Sequence, residues 1–264
     1  MQKKTIIFVN LKENDMTNEW PILAKPPVDV ALFQLKYDIG NSSLNDFTRI
    51  EAGLLNDFPI KRENYSAEVN FPSTKFPLGI SQVTGTSKTK VSGFLYMSAD
   101  QKSRIELNEG TFTLIEEHPY KDWTTFSQSV NKYLEILRPA FDNLIVTRIS
   151  IRFINRFVFD SFENPLDYFK TTVSVSEPEA VPYPVSKYAF NLMIPIDDAT
   201  YSIVKQDFDK VSDRVNYIFD IDVLKRSNLV FEIGTIMTVL SELRTIKNNL
   251  FFGNVTTKLI EACN

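Results

Sequence analysis

The stretch that most constrains this chain is LIVTRISIRFINRFVF, residues 144–159. It is rich in β-branched and aromatic residues and contains neither glycine nor proline, which is the composition of a long strand. Successive side chains of a strand point to opposite faces, so the odd and even positions separate. The odd set is Ile145, Thr147, Ile149, Ile151, Phe153, Asn155, Phe157 and Phe159, an apolar face with Asn155 as its polar intruder. The even set is Leu144, Val146, Arg148, Ser150, Arg152, Ile154, Arg156 and Val158, which puts three arginines on the opposite face. At a rise of roughly 3.3 Å per residue, neighbouring guanidiniums start about 13 Å apart. One small anion cannot touch all three, whereas an extended ligand or a partner surface can. Asn155 facing inward beside an outward Ile154 predicts a local slip in the pleat, a bulge, since a buried amide must find hydrogen bonds.

The rest of the chain supplies company for this strand. Pro26-Pro27 lead into a strand over 28–39, and residues 5–9 read as a shorter one. After Gly40 and Asn41, Ser42 or Ser43 is placed to cap a helix running to about Asp57, with Leu44, Phe47, Ile50, Leu54 and Leu55 on one side. Residues 61–71 read as extended, and the Ser/Thr/Pro/Gly-rich connector 72–90 as a surface loop. Strands at 91–98, 103–108 and 111–117 follow as an antiparallel meander. In 122–138, Trp123, Phe126, Val130, Tyr133, Leu134 and Leu137 recur at helical spacing, and Pro139 is expected to end that helix. A short helix is expected at 165–173, then strands at 186–196, 199–208 and 213–224. A last helix from about Thr235 is broken near Gly253-Asn254, and a short terminal helix follows it. Each half thus reads as strands closed by a helix. The expected class is α+β, a mainly antiparallel sheet with amphipathic helices packed on one face. The chain is expected to be a single domain, 1–264, with a candidate sub-division at about 161–185.

Bulk properties narrow the function classes. A net charge of −4 makes nucleic acid a poor partner, because nonspecific binding to it depends on summed positive charge. The single cysteine, Cys263, excludes an internal disulfide and fits a reducing, cytoplasmic setting. No apolar run approaches the ~20 residues needed to span a bilayer, and the lysine-led N-terminal run is too brief for a signal peptide. Only 8 glycines argue against phosphate-cradling loops, and no nucleotide-loop, zinc or serine-hydrolase motif is present.

Few residues are left as chemistry. Arg148, Arg152, Asn155 and Arg156 form the candidate ligand or partner face, arginine making fork-shaped contacts to carboxylates and phosphates. On an ordinary sheet face, the same arginines pair with acidic neighbours on adjacent strands. Asp220 and Asp222 point away from the core side of FDID, about 7 Å apart, as candidate Mg²⁺ ligands or as counter-charges to those arginines. His118, the only histidine, has no partner of metal or nucleophile type in its context, and Cys263 reads as an incidental thiol.

The Pro26-Pro27-Val28 strand entry, the amphipathic helix at 122–138, the R-x-x-N-R run of Arg152, Asn155 and Arg156, and a helical C-terminus together resemble a sporadically distributed prokaryotic family of proteins of about this length. The resemblance spans nearly the whole chain and implies one domain and an accessory or defence-related role. It carries no catalytic residue over.

The leading expectation is a non-catalytic binding protein with no cofactor. It would engage a protein partner, a second copy of itself or an anionic small ligand through the arginine face. The alternative is a Mg²⁺-dependent enzyme acting on a phosphorylated or nucleotide substrate.

Overall fold

The computed structural model of the chain describes residues 20–40, 44–70, 86–117, 119–141, 144–160, 164–173, 181, 183, 185–212 and 214–264. The arginine-bearing stretch forms strand β6 (Ile145–Phe159), whose neighbours are β1 (Val28–Asp38) and β9 (Arg214–Val230), both antiparallel to it. Its inward residues Ile149, Ile151 and Phe153 pair with Leu35, Phe33 and Ala31 of β1, and all six are buried. On the other side Ile151 and Phe153 meet Val223 and Ile221 of β9, also buried. Burying such β-branched and aromatic side chains is worth about 2 kcal/mol each, so this ladder dominates the sheet.

The sheet grows outward from that centre in both directions. Past β1 lie β5 (Thr111–Glu117), β4 (Ser103–Asn108), β3 (Thr86–Met97) and β2 (Ile60–Asn70). Past β9 lie β8 (Thr200–Val211) and β7 (Lys187–Pro195), which among the described residues completes a nine-stranded sheet with every pairing antiparallel. The two halves share one plan. Each begins with a central strand, resumes at an outer edge, works back to the centre by a meander, and closes with a helix. Those helices are α2 (Trp123–Phe141) and α3 (Ile233–Asn254), and α4 (Thr257–Ala262) ends the chain. In α2 the buried residues Phe126, Val130, Leu134 and Leu137 recur every three or four positions and face the sheet's core side. Phe126 meets Phe153 edge-on at 5.7 Å between ring centroids. The α+β reading with helices on a mainly antiparallel sheet therefore holds. Among the described residues no helix is long and apolar enough to cross a membrane.

Several local expectations are corrected. No bulge forms in β6 at Asn155, because its register with β9 runs unbroken from Arg148 to Phe159. The slip lies across from it in β1, between Val28 and Val30, where Asp29 drops out of the pairing. A second irregularity at Thr147 reverses the facing of the strand's first residues. Val146 and Leu144 are buried there and Thr147 is exposed, opposite to the simple alternation. Pro139 sits inside α2 rather than ending it. One missing backbone bond in the last turn is outweighed by Phe141, which is fully buried against Tyr37, Phe47 and Phe231.

The loop expected over 72–90 is shorter than the sequence implied, since residues 86–90 extend β3 and pair with Ser66–Asn70 of β2. The helix expected to run to Asp57 is a 3-10 turn (Leu44–Arg49) followed by α1 (Glu51–Leu55), and Leu55 is exposed. Of the helix expected at 165–173 only the 3-10 turn Pro165–Asp167 forms, because Phe169 leaves to bridge Val255. The strand read at 5–9, the caps at Ser42 and Ser43, and His118 lie outside the described residues.

Phe169 ties this irregular segment to the sheet. Its buried ring stacks on Tyr217 at 3.9 Å and meets Phe157 at 5.4 Å. Phe169→Ala is expected to lower the unfolding free energy by about 3–5 kcal/mol in a urea titration, and a loss below about 1 kcal/mol would show that the segment is not part of the core.

Candidate functional site

The arginine face exists as a surface of the sheet, and two of its three arginines are already ion-paired. Arg152 grips Asp220 through two parallel hydrogen bonds, Nε to Oδ1 at 2.9 Å and Nη2 to Oδ2 at 2.7 Å. Asp220 is only 5% exposed, so this is a desolvated, fork-shaped pair, and it holds the Arg152 guanidinium above its ordinary pKa. The pairing is diagonal, because the register places Asp222, not Asp220, directly opposite Arg152. Arg156 donates from Nε to Asp29 Oδ2 at 2.8 Å, the aspartate that the β1 slip releases from the ladder. Arg148 donates to Gln34 Oε1, and Gln34 passes a hydrogen bond on to Thr113. The Arg148 Nε is buried without an acceptor among the described residues.

Asp220 and Asp222 do share this face with the arginines, as the sequence implied. As a Mg²⁺ site they fit poorly, since Asp220 is held by Arg152 and the described residues bring no group of three or more His, Cys, Asp or Glu together. No step is derived through a metal. Asp222 is the residue left over. Burial first, and then the Asp220 carboxylate, raise its pKa to about 6, against the opposing charges of Arg152, Arg148 and Lys205. Cys263 is buried, and that burial raises its thiol pKa, so it fits a packed thiol rather than a nucleophile.

The opposite side of the sheet carries a different arrangement. A pocket of about 440 Å³ opens between α3, the start of α2 and the segment Trp20–Val28 that enters β1. Helix α3 contributes Arg244, Lys247, Asn248 and Phe251, which fall on one side because they lie three or four residues apart. The wall opposite is Tyr120 and Trp123, and the prolines 26 and 27 with Trp20 and Leu23 close a third side. Asn155 stands on the sheet beneath. It is thus the one member of the R-x-x-N-R run that reaches this pocket. Its Nδ2 donates to the Phe219 carbonyl at 2.9 Å, which answers the need for a partner at a buried amide.

The two cations here differ from the ion-paired Arg152 and Arg156. Neither Arg244 nor Lys247 has a carboxylate within ion-pair distance among the described residues; both lie against aromatic rings. The Arg244 guanidinium lies 5.0 Å from the Trp123 ring centroid and 5.9 Å from that of Trp20. Lys247 Nζ lies 4.4 Å from the centre of the Phe153 ring. Burial and then the neighbouring Arg244 charge lower the Lys247 pKa to about 7, although the ring beneath favours the cation. Burial likewise lowers Arg244. The N-terminus of α2 borders the same space, but Asp122 already caps it, accepting from the Thr125 N–H at 2.7 Å.

Of the pocket's polar residues Asn155 was singled out from the sequence, whereas Arg244, Lys247 and Asn248 were not, although a signal was present. Along α3 the apolar series Ile236, Leu240, Leu243 continues at the right spacing to Lys247 and then Phe251. A lysine at a core position of an amphipathic helix marks either snorkelling or a cavity.

No protein-family model matches this chain, and neither a curated protein nor a solved structure matches it.

The raised Asp222 pKa has a definite consequence for stability. The folded protein keeps the Asp222 proton up to about pH 6, whereas the unfolded chain releases it near 3.8, so stability from this residue falls as pH rises across that window. Asp222→Asn is expected to be more stable than the parent at neutral pH by on the order of 2 kcal/mol, with the gap closing as the pH drops below about 4. A constant gap between neutral and acid pH in chemical denaturation would refute that environment.

Proposed function

We propose that this chain is a binding protein that holds an anionic small ligand in the pocket lined by Arg244 and Lys247. The observation that carries the reading is a pair of cations one helical turn apart, without carboxylate partners among the described residues, in a cavity of about 440 Å³. Arg244 and Lys247 are partly buried, and charge drawn even partly out of water is normally matched by opposite charge. An incoming anion supplies that match here. The volume lies within the range of small-molecule sites, and the mix of aromatic walls with a few polar groups is typical of them.

The arginine face suits this role less well. A ligand there has to displace Asp220 from Arg152 and Asp29 from Arg156, and the third arginine, Arg148, is tied to Gln34 rather than to a carboxylate. Its arginines serve the sheet, tying β6 to β9 and to β1.

Both tryptophans of the chain line the pocket, so intrinsic fluorescence reports on it without a label. Benzoate is expected to change that emission saturably, and benzyl alcohol, its uncharged counterpart, is not. Arg244→Gln and Lys247→Gln should each weaken benzoate binding about tenfold or more, the worth of a hydrogen bond to a charged group. Because an anion favours protonated Lys247, affinity should fall as pH rises through about 7, and Lys247→Gln should flatten that dependence. Equal binding of the acid and the alcohol, insensitive to both substitutions, would defeat the proposal.

A further inference from the structure

Once an acid group is seated on Arg244 and Lys247, the pocket still offers polar groups that a hydrocarbon ligand would leave unanswered. Asn248 is 7% exposed and makes no side-chain hydrogen bond among the described residues, yet it lines the cavity. Asn155 is 3% exposed and uses its Nδ2 on the Phe219 carbonyl, while its Oδ1 accepts nothing among the described residues. Covering two such amides with an apolar body forfeits the hydrogen bonds they make to water and replaces them with none. A flat heteroaromatic ring avoids that loss. It carries donors and acceptors in one plane at its edge, which is how an asparagine side chain recognises a nucleobase. Its faces fit the other resource of the pocket, the rings of Trp20, Tyr120 and Trp123.

The charge of the site narrows the acid. Arg244 with protonated Lys247 presents two positive charges, one turn apart on a single helix. A carboxylate answers one of them, whereas a phosphate monoester carries close to two negative charges at neutral pH and three acceptor oxygens. The chain's net charge of −4 opposes a polynucleotide, which is held by many phosphate contacts at once. On these grounds we infer that the ligand class of this pocket is a nucleoside monophosphate, its phosphate on Arg244 and Lys247 and its base edge on Asn248 and Asn155. This rests on the reading of the pocket as an anion site and adds the ligand's chemistry to it.

Titration of the full chain, followed by tryptophan emission and calorimetry, separates the two. The probes are AMP, GMP, CMP and UMP, their nucleosides, and phenyl phosphate. At least one mononucleotide is expected to bind tenfold or more tightly than both its own nucleoside and phenyl phosphate. Asn248→Ala should remove the advantage over phenyl phosphate while leaving phenyl phosphate itself unchanged, a pattern that a general loss of structure does not produce. Asn248→Ser serves the same purpose if the alanine variant folds poorly. Arg244→Gln should bring the nucleotide down to its nucleoside. If phenyl phosphate binds and no mononucleotide exceeds it, the nucleotide assignment falls and the anion pocket stands. If none of these anions binds more tightly than the uncharged nucleosides, both fall.

Discussion

The Phe153 ring is the contact on which both the fold and the pocket depend. It sits in the middle of β6, buried, and gathers Tyr120 and Phe126 at 5.6 and 5.7 Å and Trp123 at 6.5 Å. These rings join the central strand to the start of α2. The same ring lies under the Lys247 ammonium and so joins the strand to α3 as well. One aromatic side chain therefore sets the spacing of three elements, and the cavity above Asn155 is the space they leave. Aromatic pairs of this kind add about 1 kcal/mol each beyond their buried area, enough to hold the two helices in register with the sheet.

The two faces of the sheet manage charge in opposite ways. On the open face Arg152 meets Asp220 and Arg156 meets Asp29, so these two charges are neutralised within the protein and contribute to sheet pairing. On the helix-covered face Arg244 and Lys247 meet aromatic rings and no carboxylate among the described residues. Rings offset only part of the cost of taking an ammonium out of water, which is why Lys247 is held near a pKa of 7. The first arrangement is matched at Arg152 and Arg156, while Arg148 meets the neutral Gln34 and keeps its Nε without an acceptor among the described residues. The second leaves Arg244 and Lys247 with aromatic partners, and that difference is what the proposed anion site rests on.

How far the sequence could be read follows from the range of the interactions involved. Alternation in 144–159 and helical spacing in 122–138 are local properties, and both elements form where the spacing put them. Asp220 as counter-charge to the arginine face was also legible, because facing on a strand follows from parity. The slip near Asn155 was legible as a disturbance but not in its location. A bulge is shared between strands, and here the extra residue is Asp29, well over a hundred positions away in the chain. Pro139 misled for a similar reason. Its local effect is to end a helix, and the burial of Phe141 against rings from three other segments overrides it.

What the sequence by itself determined is the strand with two unlike faces, and with it the need for an antiparallel sheet carrying helices on one side. Periodicity and side-chain chemistry are enough for that, since each acts over a few residues. Only the tertiary structure decided which charges are matched and which are not. Arg152 and Arg156 look like the binding residues in the chain, and Arg244 and Lys247 look like ordinary helix positions, until the packing brings Asp220 and Asp29 to the first pair and Trp20, Trp123 and Phe153 to the second. Whether a cation is satisfied depends on what stands within about 4 Å of it, and those neighbours come from segments that are distant along the chain.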